Sequence, residues 1–325
     1  LQVIRIFVFD ISSPASGGYT APMKPRFLAL CLNPTIQKTY LFDRLSIGEV
    51  NRAALVRTDA SGKGVNVARV LKEAGAQAVH LTHAGGASGT WFLSMCEADG
   101  IEVRWADSQS PVRICSTVVE RNPHRVTELV EESAPVAPGT EDRILALFRD
   151  LLGECDFLVV SGTKAAGYGL GVIPEMLRLA AEAGVPSVVD IRGEDLKASL
   201  PFHPWVAKPN LQEFLATYPP APGERSLKAH LLETLKGLKS DFGTDFVITR
   251  GGLPVLFLED GTLVEIEVDK IEPLNPIGSG DAFAAGLALA LARGASLREA
   301  IGQGIEYGGA NALALKPGSM RGGLE

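Results

Sequence analysis

The chain has 325 residues, 46% of them hydrophobic, and a formal charge of −7. That length suits one large α/β domain or two ordinary ones, with apolar residues enough for a sizeable core. The acidic balance argues against a nucleic-acid surface, and no apolar run reaches the ~18 residues of a membrane span.

Cys31, Cys96, Cys115 and Cys155 are scattered without CxxC spacing, which suits reduced thiols in a cytoplasmic protein. The histidines form no ligand cluster. His80 and His83 fall near the end of an apolar run, where a strand-end loop is expected rather than a metal site. Residues 1–22 lack the basic start and long apolar region of a signal peptide. Met23 is read as the native start, and residues 1–22 as an extension without function.

The first expected strand is Arg26–Leu32, an apolar run ended by Asn33-Pro34. Lys38–Phe42 and Asn51–Thr58 mix polar and apolar residues, as a half-exposed sheet does. Ser61–Arg69 (SGKGVNVAR) is glycine-rich and opens a helix to about Ala74. Lys63 and Asn66 stand at its start, either as a binding turn or as a surface lysine and a cap. No Walker loop is present, since neither Ser nor Thr follows the lysine. Strand Ala78–Thr82, helix Ser88–Asp99 and strand Glu102–Trp105 come next. Arg113–Glu120 and Arg125–Glu131 flank Asn122-Pro123-His124 as a hairpin. After helix Thr140–Leu152, strands and helices alternate. The strands are Phe157–Ser161, Ser187–Asp190, Trp205–Lys208 and Phe246–Thr249, and Asp260-Gly261 turns a final hairpin.

Such alternation implies a parallel sheet with helices on both faces, which binds ligands beyond the carboxyl ends of its strands. The informative residues gather at those ends: Asn33, Ser161-Gly162, Asp190, Lys208–Asn210, Thr249–Gly252 and Gly278–Asp281. The last group lies in Asn275–Gly294, where a glycine turn precedes an apolar helix. Such a turn aims N–H groups and the helix dipole at one spot, which favours anions. Asp281 at its mouth can accept a proton from a hydroxyl attacking a phosphoryl group. On local grounds alone a capped core helix is the plainer reading.

With Asn33-Pro34, SGKGVNVAR, KPNLQEF (208–214) and GSGDAF (278–283) in this order, the chain resembles the ribokinase/phosphofructokinase-B family of sugar kinases. The stretch from Cys31 to Gly75 looks most like the branch of 1-phosphofructokinase and tagatose-6-phosphate kinase. The resemblance implies one kinase domain over residues 23–325. Its fold would be α/β, a three-layer α/β/α doubly wound sheet, mostly parallel, with a β-sheet lid from about 38–58 and 113–131. It also implies ATP as co-substrate, Mg²⁺, and a homodimer through the lid.

Carried over residue by residue, Asp281 matches the catalytic base, and Gly278, Ser279 and Gly280 the anion hole beside the nucleotide. Gly62, Lys63, Gly64 and Asn66 match the sugar-contacting turn, and Arg113 an arginine that reaches the sugar's phosphate from the lid. Lys208, Asn210 and Glu213 match a segment near the triphosphate, with Asn210 and Glu213 toward magnesium through water. Thr249 and Gly251 match a turn beside the nucleotide, and Asn311 a position near its adenine. Three departures fall on the sugar side. Gln37 replaces a hydroxyl-gripping aspartate, Lys164 adds a cation to Ser161–Gly167, and Ser61 replaces a glycine. These leave two competing expectations: a kinase of an unphosphorylated sugar or nucleoside, and a sensor that binds sugar phosphate or nucleotide without turnover.

Overall fold

A computed structural model describes residues 24–221, 223 and 226–324. The expected N-terminal extension, residues 1–22, lies outside them. Strands β1 (Arg26–Leu30), β4 (Gln77–Ala84), β5 (Glu102–Asp107), β8 (Phe157–Ser161), β9 (Ser187–Asp190), β10 (Val206–Ala207), β11 (Asp245–Arg250), β12 (Leu253–Glu259) and β13 (Thr262–Ile266) form one sheet. Its order is β13-β12-β11-β10-β9-β8-β1-β4-β5. The strands are parallel from β11 to β5, and β12 and β13 close one edge antiparallel.

The central strands are apolar along their whole length because both faces are covered. Phe27, Ala29, Phe157 and Val159 pack toward helices α1 (Lys63–Glu73), α2 (Gly86–Ala98), α8 (Ser279–Ala292) and α9 (Leu297–Ala312). Leu28, Leu30, Leu158 and Val160 pack toward α3 (Thr140–Leu152), α4 (Val172–Glu182), α5 (Gly193–Ser199), α6 (Leu211–Thr217) and α7 (Leu227–Phe242). Residues 282–292 of α8 are all buried. A helix apolar on every side belongs inside.

A second sheet, β3-β2-β6-β7, is built from β2 (Thr35–Phe42), β3 (Leu55–Ser61), β6 (Arg113–Arg121) and β7 (His124–Leu129). On one face Leu41, Val119, Leu55 and Val126 close on Leu274 and Leu315. On the other, Val56 and Leu129 are exposed. The ladder of β2 and β3 runs from Thr35↔Ser61 to Leu41↔Leu55. It thus reaches three residues further toward the main sheet on each strand than hydropathy suggests. Gln37, Asp59 and Ser61 are buried polar residues there, and they break the apolar pattern without breaking the strand.

His80 and His83 lie inside β4, fully and almost fully buried, rather than in a loop. His80 Nδ1 donates to the Ala29 carbonyl at 2.9 Å, and His83 Nδ1 meets the Tyr168 hydroxyl at 2.9 Å. Burial pulls the pKa of each down to about 4, so both rings are neutral at pH 7. Among the described residues all four cysteines are free. None of the described helices is long and apolar enough to cross a membrane.

Candidate active site

Helix α8 begins at Ser279, so Asp281 stands within its first turn. Gly278 provides the cap in the left-handed region, at φ 85°. A Cβ at Gly278 would lie 2.6 Å from the Gly318 nitrogen, so only glycine fits both the angle and the space. The Ser279 and Asp281 amides turn back onto the Pro276 and Gly278 carbonyls, each at 3.1 Å. The Gly278 and Gly280 amides keep no acceptor within the described protein and remain available to an anion. Two of the four amides in 278–281 thus lack a protein acceptor.

Asn311 braces this turn. Its amide nitrogen donates to the Ile277 carbonyl at 3.0 Å and to Ser279 Oγ at 3.1 Å, and its oxygen accepts from Gly318 N at 2.7 Å. It is fully buried.

Asp281 is buried, and Asn66 in the first turn of α1 donates to its Oδ2 at 2.7 Å. Burial raises the pKa of Asp281 to about 6, and the Asp190 charge adds to the rise. Lys63, the Asn66 hydrogen bond and Lys208 oppose it. Asp190, at the end of β9, pairs with Lys63 Nζ at 3.1 Å and Lys208 Nζ at 3.4 Å. Burial alone would raise its pKa, but Lys208 and Lys63 outweigh burial and lower it. Lys63 stays charged for the reciprocal reason: burial opposes its charge, while Asp190, Asp281 and Glu213 hold the proton on. In the sequence Asp190 is only a strand-end residue. Its position opposite two lysines, each in a different motif, exists only in the fold.

Lys63 and Arg113, both expected at the sugar's phosphate, have different partners in the fold. The Lys63 ammonium lies between Asp190 Oδ2 at 3.1 Å and Glu213 Oε1 at 3.8 Å. Arg113, at the start of β6, donates to the Glu131 carbonyl at 3.1 Å, and its Nε is buried without a partner. Gln37 is buried on β2 and donates to Thr117 Oγ1 at 2.8 Å, opposite Asp59 and Cys115. Gly62, at φ 102°, caps α1, and Gly64 packs on Cys31 and His80. Lys164 adds no free cation, since Asp195 pairs with it. Ser61 Oγ donates to Asn66 Oδ1 at 3.2 Å.

On the other side, Asn210 and Glu213 form a reciprocal cap of α6. The Glu213 amide donates to Asn210 Oδ1 at 2.8 Å, and the Asn210 amide donates to Glu213 Oε2 at 3.0 Å. The Asn210 oxygen thus accepts one backbone N–H of α6. Glu213 Oε1 faces the Lys63 ammonium. Thr249 pairs with Asn210 at the end of β11. Gly251, at φ 63°, makes the exposed turn that follows, with nothing crowding it.

The pfkB family carbohydrate kinase model matches residues 28–319. Tagatose-6-phosphate kinase of Staphylococcus epidermidis is 26% identical over 298 residues, covering 90% of this chain and 94% of that protein. The tetrameric inhibited form of phosphofructokinase-2 from Escherichia coli superposes with a TM-score of 0.78 at 21% identity, over 89% of this chain and 94% of that one. The possible 1-phosphofructokinase of Thermotoga maritima gives 0.79 at 20% identity, over 90% and 93%. These two share the ribokinase-like α/β fold. With its family match spanning nearly all the described residues, the chain belongs to the pfkB family of carbohydrate kinases, which are phosphotransferases.

Proposed function

We propose that the chain transfers the γ-phosphoryl group of ATP to a hydroxyl of a sugar phosphate, in the manner of a 1-phosphofructokinase or tagatose-6-phosphate kinase, with Asp281 as base. One observation carries this reading. Asp281 is a buried carboxylate with a pKa raised to about 6, in the first turn of α8 beside two unpaired glycine amides. That proton affinity suits a base at neutral pH. As the acceptor oxygen bonds to phosphorus and the bond to the β-phosphate breaks, the hydroxyl proton passes to Asp281. The Gly278 and Gly280 amides meet the charge on the transferred group, and preorganised donors of this kind contribute about 3 kcal/mol each.

Lys63 and Lys208, fixed by Asp190, put two positive charges along the same path. Magnesium suits the donor set. Glu213 Oε1 is one part-exposed carboxylate oxygen, and no group of three His, Cys, Asp or Glu among the described residues encloses a bare ion. That composition matches an ion carried by the triphosphate and its waters. Glu213 would hold it, and the ion would neutralise the β- and γ-phosphates.

For the acceptor, the buried unpaired Nε of Arg113 supports a phosphorylated sugar. The name of the Staphylococcus relative points the same way. A second reading, an unphosphorylated sugar, is favoured by the engagement of Lys63 with Asp190 and Glu213. Tagatose-6-phosphate, fructose-6-phosphate, fructose-1-phosphate and the plain sugars, each assayed with Mg-ATP in wild type and Gln37→Asp, separate the two. Turnover confined to plain sugars refutes the first. The exposed face of the second sheet, with Val56 and Leu129, supports a homodimer, to be checked by light scattering.

A further inference from the structure

The two ends of the Asn66 amide are chemically different, and their partners assign them. Its oxygen accepts from Ser61 Oγ and from Arg69 Nη1, each at 3.2 Å, while its nitrogen donates to Asp281 at 2.7 Å. Arg69 is itself 3% exposed. It is tied to the Ala60 carbonyl at 2.6 Å, the Pro317 carbonyl at 2.9 Å and Asp99 at 2.9 Å. Lys316 holds Asp99 from the other side at 2.6 Å. A guanidinium only donates, so no amide nitrogen can face it. The Ser61 hydroxyl can donate or accept, and it follows whichever end Arg69 selects.

We infer that Arg69, assisted by Ser61, is a positioning residue for phosphoryl transfer: it locks the Asn66 amide with its N–H toward Asp281 and so keeps that carboxylate charged and aimed. The inference rests on the reading of Asp281 as base. The charged and titratable groups facing Asp281 are Lys63 from α1, Asp190 from the end of β9, Lys208 beyond β10 and the Cys31 thiol beyond β1. Those around Arg69 are Asp99, Lys316, His80 and Cys96. Without a donor-only group at position 69 the amide can turn over. Its oxygen then faces Asp281, which favours the protonated acid.

The test is the pH dependence of kcat/KM for the full chain with Mg-ATP and the acceptor selected by the panel. Arg69→Gln is the variant of choice, because its side chain can keep one interior tie while offering an acceptor to Asn66. It is expected to move the acid limb up by about 0.5–1 pH unit, so activity falls several-fold more at pH 6 than at pH 8. Ser61→Ala, which leaves the ties of Arg69 intact, moves the limb the same way by less. Arg69→Lys, still donor-only, restores the wild-type limb even where its Tm is lowered. A purely structural role would lower rate and Tm together and leave the limb in place. An unmoved limb in Arg69→Gln and Ser61→Ala, with Asp281→Asn inactive, overturns this inference alone. Turnover by Asp281→Asn overturns the base assignment and this inference with it.

Discussion

Asn66 and Asp281 stand 215 positions apart in the chain and 2.7 Å apart in the fold. The contact joins the first turns of α1 and α8, so the glycine turn at Gly62 and the one at Gly278 meet in the fold. If Asp281 is the base, Asp281→Asn removes the proton acceptor while keeping the shape and the Gly278 cap. A loss in kcat of roughly 10²–10⁴-fold is expected, the range found for positioned acids and bases. ATP affinity, measured by calorimetry, should stay near wild type. In the wild type the acid limb should fall near pH 6, where Asp281 takes up its proton. Full turnover by the variant would refute the assignment.

Asp190 separates two lysines that otherwise repel. In Asp190→Asn the Lys63 ammonium still has Glu213, but Lys208, 3% exposed, loses its carboxylate. Leaving one buried partner uncompensated costs about 3–5 kcal/mol. The urea midpoint should drop accordingly. The same change removes a negative charge that raises the pKa of Asp281, so the residual activity should show its acid limb at lower pH than wild type. That shift is opposite in sign to the one expected of Arg69→Gln. A limb that moves upward in Asp190→Asn would mean that Asp190 does not act on Asp281 through its charge.

Much of this was legible in the residues alone. The alternation after Phe157 announces the parallel sheet, because strands buried on both faces must be continuously apolar. The turns at Gly62 and Gly278 announce themselves because positive φ selects glycine. Pairing across the fold was not legible. Nothing local in Ser187–Asp190 says that Lys63 and Lys208 converge on its last residue, and nothing in Arg69 says that it faces Asn66 rather than solvent. Asn311 adds a third case, since its ties to Ile277, Ser279 and Gly318 exist only in the fold.

Lys63 and Arg113 separate by environment, and their substitution should separate by substrate. Lys63 is enclosed by Asp190 and Glu213, so Lys63→Met should lower kcat for phosphorylated and plain acceptors alike. Arg113 keeps a buried Nε free, so Arg113→Met should raise KM for a sugar phosphate far more than for the plain sugar. A pair of steady-state experiments on each variant checks both. Equal changes in KM for the two acceptors with Arg113→Met would remove the phosphate anchor from the proposal.

Gly318 fixes the C-terminal loop against the site. A Cβ there would lie 2.5 Å from the Asn66 Cα, and the native φ of 66° already disfavours a side chain. Gly318→Ala should therefore push Asn66 away from Asp281 and lower kcat, with KM for ATP little changed. Unaltered kcat in this variant would show that the loop yields instead.

Stability should fall as pH falls from 6.5 toward 4, and the reason lies in β4. His80 and His83 are buried as neutral rings with pKa values near 4 against a reference of 6.5. Between those values the unfolded chain binds the protons and the folded one does not, so the histidine contribution is present above pH 6.5 and is lost on acidification. Asp281 works the other way. Its folded pKa of about 6 exceeds the reference of 3.8, so the native state gains as pH falls through 6. Two groups oppose one, and each unit of difference corresponds to about 1.4 kcal/mol. Net destabilisation is the expected outcome, read as a lower urea midpoint at pH 5 than at pH 7.5. His83→Gln should flatten that slope, because one of the two rings no longer titrates, whereas Asp281→Asn should steepen it. Equal midpoints at the two pH values in the wild type would show that the rings are not held neutral by burial.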